Sequence, residues 1–242
     1  MDAELYQKMI LFEDSHWWYV GRRKIIDVFM RRLPKQKQSI LEVGCGSGGN
    51  LELLSCYGEV DAIELDDTSY HVAKSRNIAT VKQGFLPNGC PFTKSYDVIV
   101  MFDVLEHIEE DILALKELKD LLTSNGYLVI TVPALMSLWS AHDVQNHHFR
   151  RYTRTCLNKV LNAAGFEIVK WSYFNTLLFP LIFLIRWLNR NRNLDGESDL
   201  KMPSLMINKV LTFVFGLERF LVRLFALPIG VSLGVTARIK KI

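Results

Sequence analysis

Several classes of protein are excluded by what this 242-residue sequence lacks. Its four cysteines, Cys45, Cys56, Cys90 and Cys156, are scattered and form no C-x-x-C pair. That removes a disulfide framework and a thiol zinc site, and suits a reducing compartment. There is no secretory leader pattern, so the expected location is cytoplasmic. The most apolar run, Leu177–Ile185, is nine residues long and contains Pro180, against the roughly 18–20 residues needed to span a bilayer. No internal repeat or low-complexity tract is present. The net charge of +3 is too small to suggest nucleic acid, but it is unevenly spread. Residues 1–176 hold 19 Lys/Arg against 22 Asp/Glu, whereas residues 177–242 hold 10 against 4. Basic charge is therefore concentrated in the most apolar part of the chain, which favours an anionic membrane surface over a polynucleotide.

What is present centres on Ser39–Gly49, S-I-L-E-V-G-C-G-S-G-G. A short apolar strand runs into Gly44, Gly46, Gly48 and Gly49, with Glu42 two places ahead. This is how α/β folds bring main-chain N–H groups against a nucleotide-like ligand. The pattern Gly44-x-Gly46-x-x-Gly49 fits a dinucleotide loop, and Gly44-x-Gly46-x-Gly48 fits an S-adenosylmethionine (SAM) loop. Cys45 reads as a small side chain that fits the loop rather than as a nucleophile, because no base adjoins it in sequence. Glu64 lies 20 residues after Gly44, the distance at which such folds place a ribose-binding carboxylate.

Strand and helix patterns alternate along the chain, which implies a mostly parallel sheet with crossover helices. The predicted strands are 39–43, 60–65, 80–83, 96–102, 127–132, 166–174 and 229–239. The predicted helices are 1–33, 51–57, 109–122 and 153–165, with one more running from an N-cap at Thr68 to Asn77. Residues 1–35, with His16-Trp17-Trp18-Tyr19 and Gly21-Arg22-Arg23, read either as a lid over a flat ligand or as an anchor to the core. A long loop, Ala134–Tyr152, holds His142, Asp143, His147, His148, Arg150, Arg151 and Tyr152 beyond a strand's carboxyl end, where open α/β sheets carry their chemistry.

Residues 177–228 form an apolar helical insertion before the last strand. A helix is predicted over 205–227, with Asn208, Thr212, Arg219 and Arg223 as its polar stripe; residues 189–199 are polar and flexible in composition. The insertion reads as an interfacial membrane element, or alternatively as a pair of helices packed on the domain or forming a homodimer seam.

Taken together, E-V-G-C-G-S-G-G, the acid ending the second strand, D-V-L-E-H-I and N-G-Y-L-V-I-T-V-P resemble the class I SAM-dependent methyltransferases. The general likeness is to the group containing the O-methyltransferase of ubiquinone biosynthesis. It covers about residues 15–176 and the final strand. H-W-W-Y-x-G-R-R and S-A-H-D-x-x-x-H-H-x-R-R-Y-T are similar to a bacterial subgroup. The resemblance implies one domain over residues 1–242, with a Rossmann-like seven-stranded sheet in the order 3-2-1-4-5-7-6 and the last strand antiparallel. It implies SAM as cofactor, held by Trp18, Arg23, Glu42, Gly44, Cys45, Gly46, Glu64, Leu65, Phe102 and Asp103. Within that set, Gly44 and Gly46 approach the methionine part, Glu64 binds the ribose, and Arg23 meets the cofactor carboxylate. Phe85 departs from the family pattern near the adenine.

Methyl transfer to a hydroxyl needs alignment and a base. His142 and His147, with Asp143, are the expected catalytic residues, and His107, His148, Arg151 and Tyr152 the expected substrate contacts. His142, Asp143 and His147 also have ligand chemistry, but the reading assigns no metal. The acceptor is expected to be lipidic or lipid-linked, with a soluble small metabolite as the alternative. Location is then cytoplasmic or peripheral on the membrane's inner face. Outside the enzyme class, a SAM-binding regulatory module and an NAD-dependent oxidoreductase remain.

Overall fold

The computed structural model describes residues 7, 10–34, 37–189 and 202–241. The polar stretch 190–201 and most of residues 1–9, for which a flexible segment and a leading helix were expected, lie outside the described residues. Helix α1 (Trp17–Met30) precedes β1 (Gln38–Val43), α2 (Leu51–Ser55), β2 (Gly58–Glu64), α3 (Asp67–Ser75), β3 (Thr80–Gln83) and β4 (Tyr96–Phe102). Then follow α4 (Asp111–Asp120), β5 (Leu122–Pro133), α5 (Ala141–Gln145), α6 (Arg154–Ala163), β6 (Phe166–Phe174), α7 (Phe179–Asn189), α8 (Leu205–Leu224) and β7 (Ser232–Ile239).

The seven strands form one sheet in the order β3-β2-β1-β4-β5-β7-β6. β1 to β5 pair in parallel, and β7 runs antiparallel to both neighbours. The central strands β1 and β4 are nearly all buried because helices cover both faces of the sheet. One core layer packs α4 and α6 on one face, and the other packs α1, α2 and α8 on the opposite face.

Local chemistry sets the helix starts. Asp66, not Thr68, caps α3 by accepting from the Ser69 amide at 2.8 Å. Thr153 caps α6 through the Cys156 amide at 3.2 Å. The loop 134–152 is more ordered than predicted, with a 3-10 turn at Met136–Leu138 and α5 closed by a Ser140/Asp143 capping box.

The insertion is packed on one side only. α8 lies along α1, where Phe215 is buried against Gly21 and stacks on Phe174. Asn208, read as part of the polar stripe of this helix, points inward: its Oδ1 accepts from the Trp17 amide at 2.8 Å, and its Nδ2 donates to the Ser15 carbonyl at 2.8 Å. Glu218 is buried and accepts from the Leu177 amide at 2.7 Å. The outer face of α8 instead shows Leu205, Met206, Phe213 and Leu224 to solvent, and α7 shows Leu181, Leu184, Trp187 and Leu188. Among the described residues, no helix is long and apolar enough to cross a membrane.

Candidate active site

A cavity of about 700 Å³ opens at the carboxyl ends of β1, β2, β4 and β5, where an open α/β sheet reverses its strand order. Its lower half is the β1–α2 glycine loop. Gly44 and Gly46 have φ of +68° and +57°, a region that side chains with a Cβ enter only at a cost. A Cβ on Gly46 would project into open space, so the bare backbone there leaves room for a ligand. The Gly46 amide donates to Glu64 Oε2 at 2.7 Å, and the Leu65 and Asp66 amides donate to Oε1 at 2.9 Å. The loop and the acid that ends β2 therefore hold each other in place.

Burial raises the pKa of Glu64, although the three backbone donors oppose the shift. Glu13, also buried in this half, is raised by the same cause, against hydrogen bonding from Ser47 and the charge of Arg76. Ser47 Oγ donates to Glu13 at 2.6 Å, and Arg76 pairs with its other oxygen. A ligand carrying positive charge suits walls with this density of carboxyl groups. Arg23 reaches the same half; its nearest carboxylate is Asp14, at 4.0 Å. Burial lowers its pKa.

Arg22, the residue before it, does something the sequence did not single out. It lies 4.7 Å from the centre of the Trp18 ring and pairs with Asp103. It thereby ties α1 to the end of β4. Asp103 has φ +57°, so its side chain leaves the strand at an unusual angle.

The upper half is built from Glu106 and His107 in the turn after β4 and from the α5 region. Asp143 is wholly buried. Its Oδ1 accepts from His148 Nδ1 at 2.9 Å and from Arg151 Nε at 2.7 Å, and its Oδ2 accepts from Arg151 Nη2 at 2.9 Å. Burial would raise its pKa, but hydrogen bonds from His148 and Arg151 and the charge of Arg151 hold it well below the usual carboxylate range. The His107 ring stands 4.6 Å from that of His148 at 83°. Burial, with a smaller contribution from His148, pushes its pKa down to about 3, so it is neutral near pH 7. Glu106 is wholly buried, and its pKa is raised well above the usual range by burial and the nearby Asp103.

Of the residues expected from sequence, Trp18, Arg23, Gly44, Cys45, Gly46, Glu64, Leu65, Phe102 and Asp103 line the cavity, as do His107, His142, His147, His148 and Arg151. Three do not. Asp143 sits behind the wall, where it serves His148 and Arg151 rather than a substrate. Tyr152 is fully buried, and its hydroxyl donates to Asp111 at 2.9 Å, so it belongs to the core. Glu42 lies beneath the glycine loop, accepting from Asn50 Nδ2 at 2.9 Å, with burial raising its pKa to about 8. Cys45 is buried, and burial raises its thiol pKa, which removes it as a nucleophile. Sequence reading missed Glu13, Arg22 and Asn146, and also Asn175, Ile182, Ile185 and Arg186, which the start of the insertion brings to the cavity wall. Of these, only Arg22 was hinted at, by its place beside Arg23.

This sheet order with a glycine loop and an acid at the end of β2 defines a Rossmann-like methyltransferase fold. A methyltransferase domain family model matches residues 17–170, and the chain belongs to that family. A protein of Mycobacterium tuberculosis named a probable S-adenosylmethionine-dependent methyltransferase is 28% identical over 157 residues, 63% of this chain and 56% of its own length. One of Mycolicibacterium smegmatis with the same description is 26% identical over 164 residues, 65% of this chain and 62% of its own. The chain thus spans less than two thirds of the length of these curated relatives. Solved structures share the fold. A SAM-dependent methyltransferase from Thermotoga maritima superposes with a TM-score of 0.59 at 17% identity, over 98% of this chain and 99% of that one. Magnesium protoporphyrin IX methyltransferase from Synechocystis, solved with S-adenosylhomocysteine bound, superposes at 0.56 and 15%, over 92% and 85%.

Proposed function

We propose that this protein transfers the methyl group of SAM to a hydroxyl of a lipidic or lipid-linked acceptor at a membrane surface. SAM fits the lower half of the cavity. In this reading Glu64 takes the ribose hydroxyls, the open backbone at Gly46 the methionine part, and Arg23 the carboxylate. The acceptor occupies the upper half. Its oxygen attacks the methyl carbon in line as the carbon–sulfur bond breaks, and the sulfur leaves as a neutral thioether with the electron pair. His142 or His147 takes the hydroxyl proton. Alignment of the two reactants alone supplies about 7–11 kcal/mol in favourable cases.

The observation that carries the acceptor class is the exposed apolar face of α7 and α8. Its inner edge, Ile182 and Ile185, is also cavity wall, so apolar surface runs from the outside of the molecule into the acceptor half. Exposed apolar helix faces of this kind mark a docking surface, and the excess of basic residues in the same segment suits anionic lipid. The test is incubation with methyl-labelled SAM and fractionated cell extract, with co-sedimentation on anionic vesicles at low salt. Label in the organic phase and vesicle binding are expected. Label confined to the aqueous phase, with no vesicle binding, would replace this reading with a soluble acceptor.

A further inference from the structure

Three carboxylates stand around the upper cavity, and only two have a cation. Asp103 pairs with Arg22 and Asp143 with Arg151. Glu106 has no ion pair among the described residues, is wholly buried, and accepts no hydrogen bond from another residue at either oxygen. A buried polar group left this way costs about 1–3 kcal/mol, and more if charged. Glu106 faces two imidazoles instead. One ligating atom each from Glu106, His107 and His148 lie within 4.8 Å of one another.

The two rings are also fixed from behind. His148 has Nδ1 on Asp143, which leaves Nε2 as its ligating atom, and His107 bonds through its ring to the Asn146 backbone. Such outer partners set the tautomer and aim of metal-binding histidines. An ion with bonds of about 2.1 Å spaces its ligands roughly 3.0–3.4 Å apart. From a mutual spacing of up to 4.8 Å, the three groups must close in to reach that range.

We propose that Glu106, His107 and His148 bind a divalent transition cation of the zinc or manganese class. Two imidazoles and one carboxylate suit such ions better than magnesium or calcium, which prefer all-oxygen sets. All three residues line the cavity, so the remaining coordination positions face the acceptor. The proposal deepens, and rests on, the methyl-transfer reading. The acceptor hydroxyl binds the cation, which lowers the hydroxyl pKa, and the proton leaves to His142 or to solvent. The oxygen then forms its bond to the methyl carbon as the carbon–sulfur bond breaks, with no change of oxidation state.

The test uses the full chain stripped with chelator and titrated with Co²⁺, with Zn²⁺ as competitor and S-adenosylhomocysteine binding measured by calorimetry alongside. One Co²⁺ per chain is expected, with visible d–d absorption that Zn²⁺ displaces. Glu106→Gln should weaken Co²⁺ at least ~10-fold while still binding S-adenosylhomocysteine. His71→Ala, at an exposed histidine outside the cavity, should leave Co²⁺ binding unchanged. If Glu106→Gln does not fold, His148→Asn is held to the same criterion. No saturable Co²⁺ binding by a chain that still binds S-adenosylhomocysteine would overturn the cation site and leave the methyl-transfer reading standing. Unchanged Co²⁺ affinity in the variant would likewise overturn the site. Loss of S-adenosylhomocysteine binding by the native chain would overturn the methyl-transfer reading itself.

Discussion

Replacing Gly21 with alanine tests whether the insertion holds α1 in place. In an exposed helix interior, Gly→Ala stabilises by about 1 kcal/mol. Here the added methyl carbon would lie 2.6 Å from Phe215 Cγ, against about 3.5–4.0 Å for an ordinary carbon contact. Phe215 cannot yield easily, because it is wholly buried between Phe174, stacked at 6.3 Å, and Trp17, edge-on at 5.9 Å. The relief must come from α1 moving about 1 Å away from α8, which should cost ~1–3 kcal/mol in spite of the helix-propensity gain. Phe215→Ala alone should cost ~3–5 kcal/mol. The double variant should cost less than the sum of the two by at least ~1 kcal/mol, because the cavity left by the ring receives the methyl. Urea unfolding measures all three. Since α1 carries Trp18, Arg22 and Arg23, Gly21→Ala should also weaken S-adenosylhomocysteine binding, read by calorimetry. A stabilised Gly21→Ala, or additivity within ~0.5 kcal/mol, would refute the contact.

Glu64→Ala should retain the fold but lose S-adenosylhomocysteine affinity by ~30-fold or more, since hydrogen bonds to a charged acceptor are worth ~1.5–3 kcal/mol; an unchanged dissociation constant would remove Glu64 from the site. Asp143→Asn should cost ~3–5 kcal/mol of stability, as it leaves Arg151 buried without its carboxylate, which thermal or urea unfolding would show. Glu42 gives a pH test with a defined sign. Its folded pKa of about 8 lies above the ordinary value of 4.5, so the folded state keeps a proton that the unfolded chain gives up. Native stability from this group is full below about pH 4.5 and is lost as pH rises towards 8. Glu42→Gln has no such proton, so its stability relative to the native chain should improve between pH 5 and 8 by ~2–4 kcal/mol. Parallel pH profiles would contradict a buried, protonated Glu42.

Which parts of this were legible in advance follows from the range of the forces involved. The central strands β1 and β4 and the glycine loop were readable because each of these buried parallel strands carries a short apolar run and the loop must have glycine at positive φ. Glu64 was readable because a fixed βαβ length separates it from the loop. The cap of α3 and the helix inside 134–152 were not, because each depends on local side-chain hydrogen bonds that Asp, Ser and Thr can make equally well in several frames.

The sequence by itself determined the alternation of strands and helices and a glycine loop of the nucleotide-binding kind, since these rest on periodicity and spacing along the chain; the sheet order and SAM as ligand came from the family resemblance. Tertiary structure decided where side chains point. It turned Arg22 rather than Arg23 to Asp103 and set Asp143 behind the cavity wall. It left Glu106 facing two histidines from different segments and pointed Asn208 of α8 inward with apolar residues outward. A helical period shows that two faces differ, but which face is buried depends on the neighbour it meets. Here that neighbour is α1, almost two hundred residues earlier in the chain.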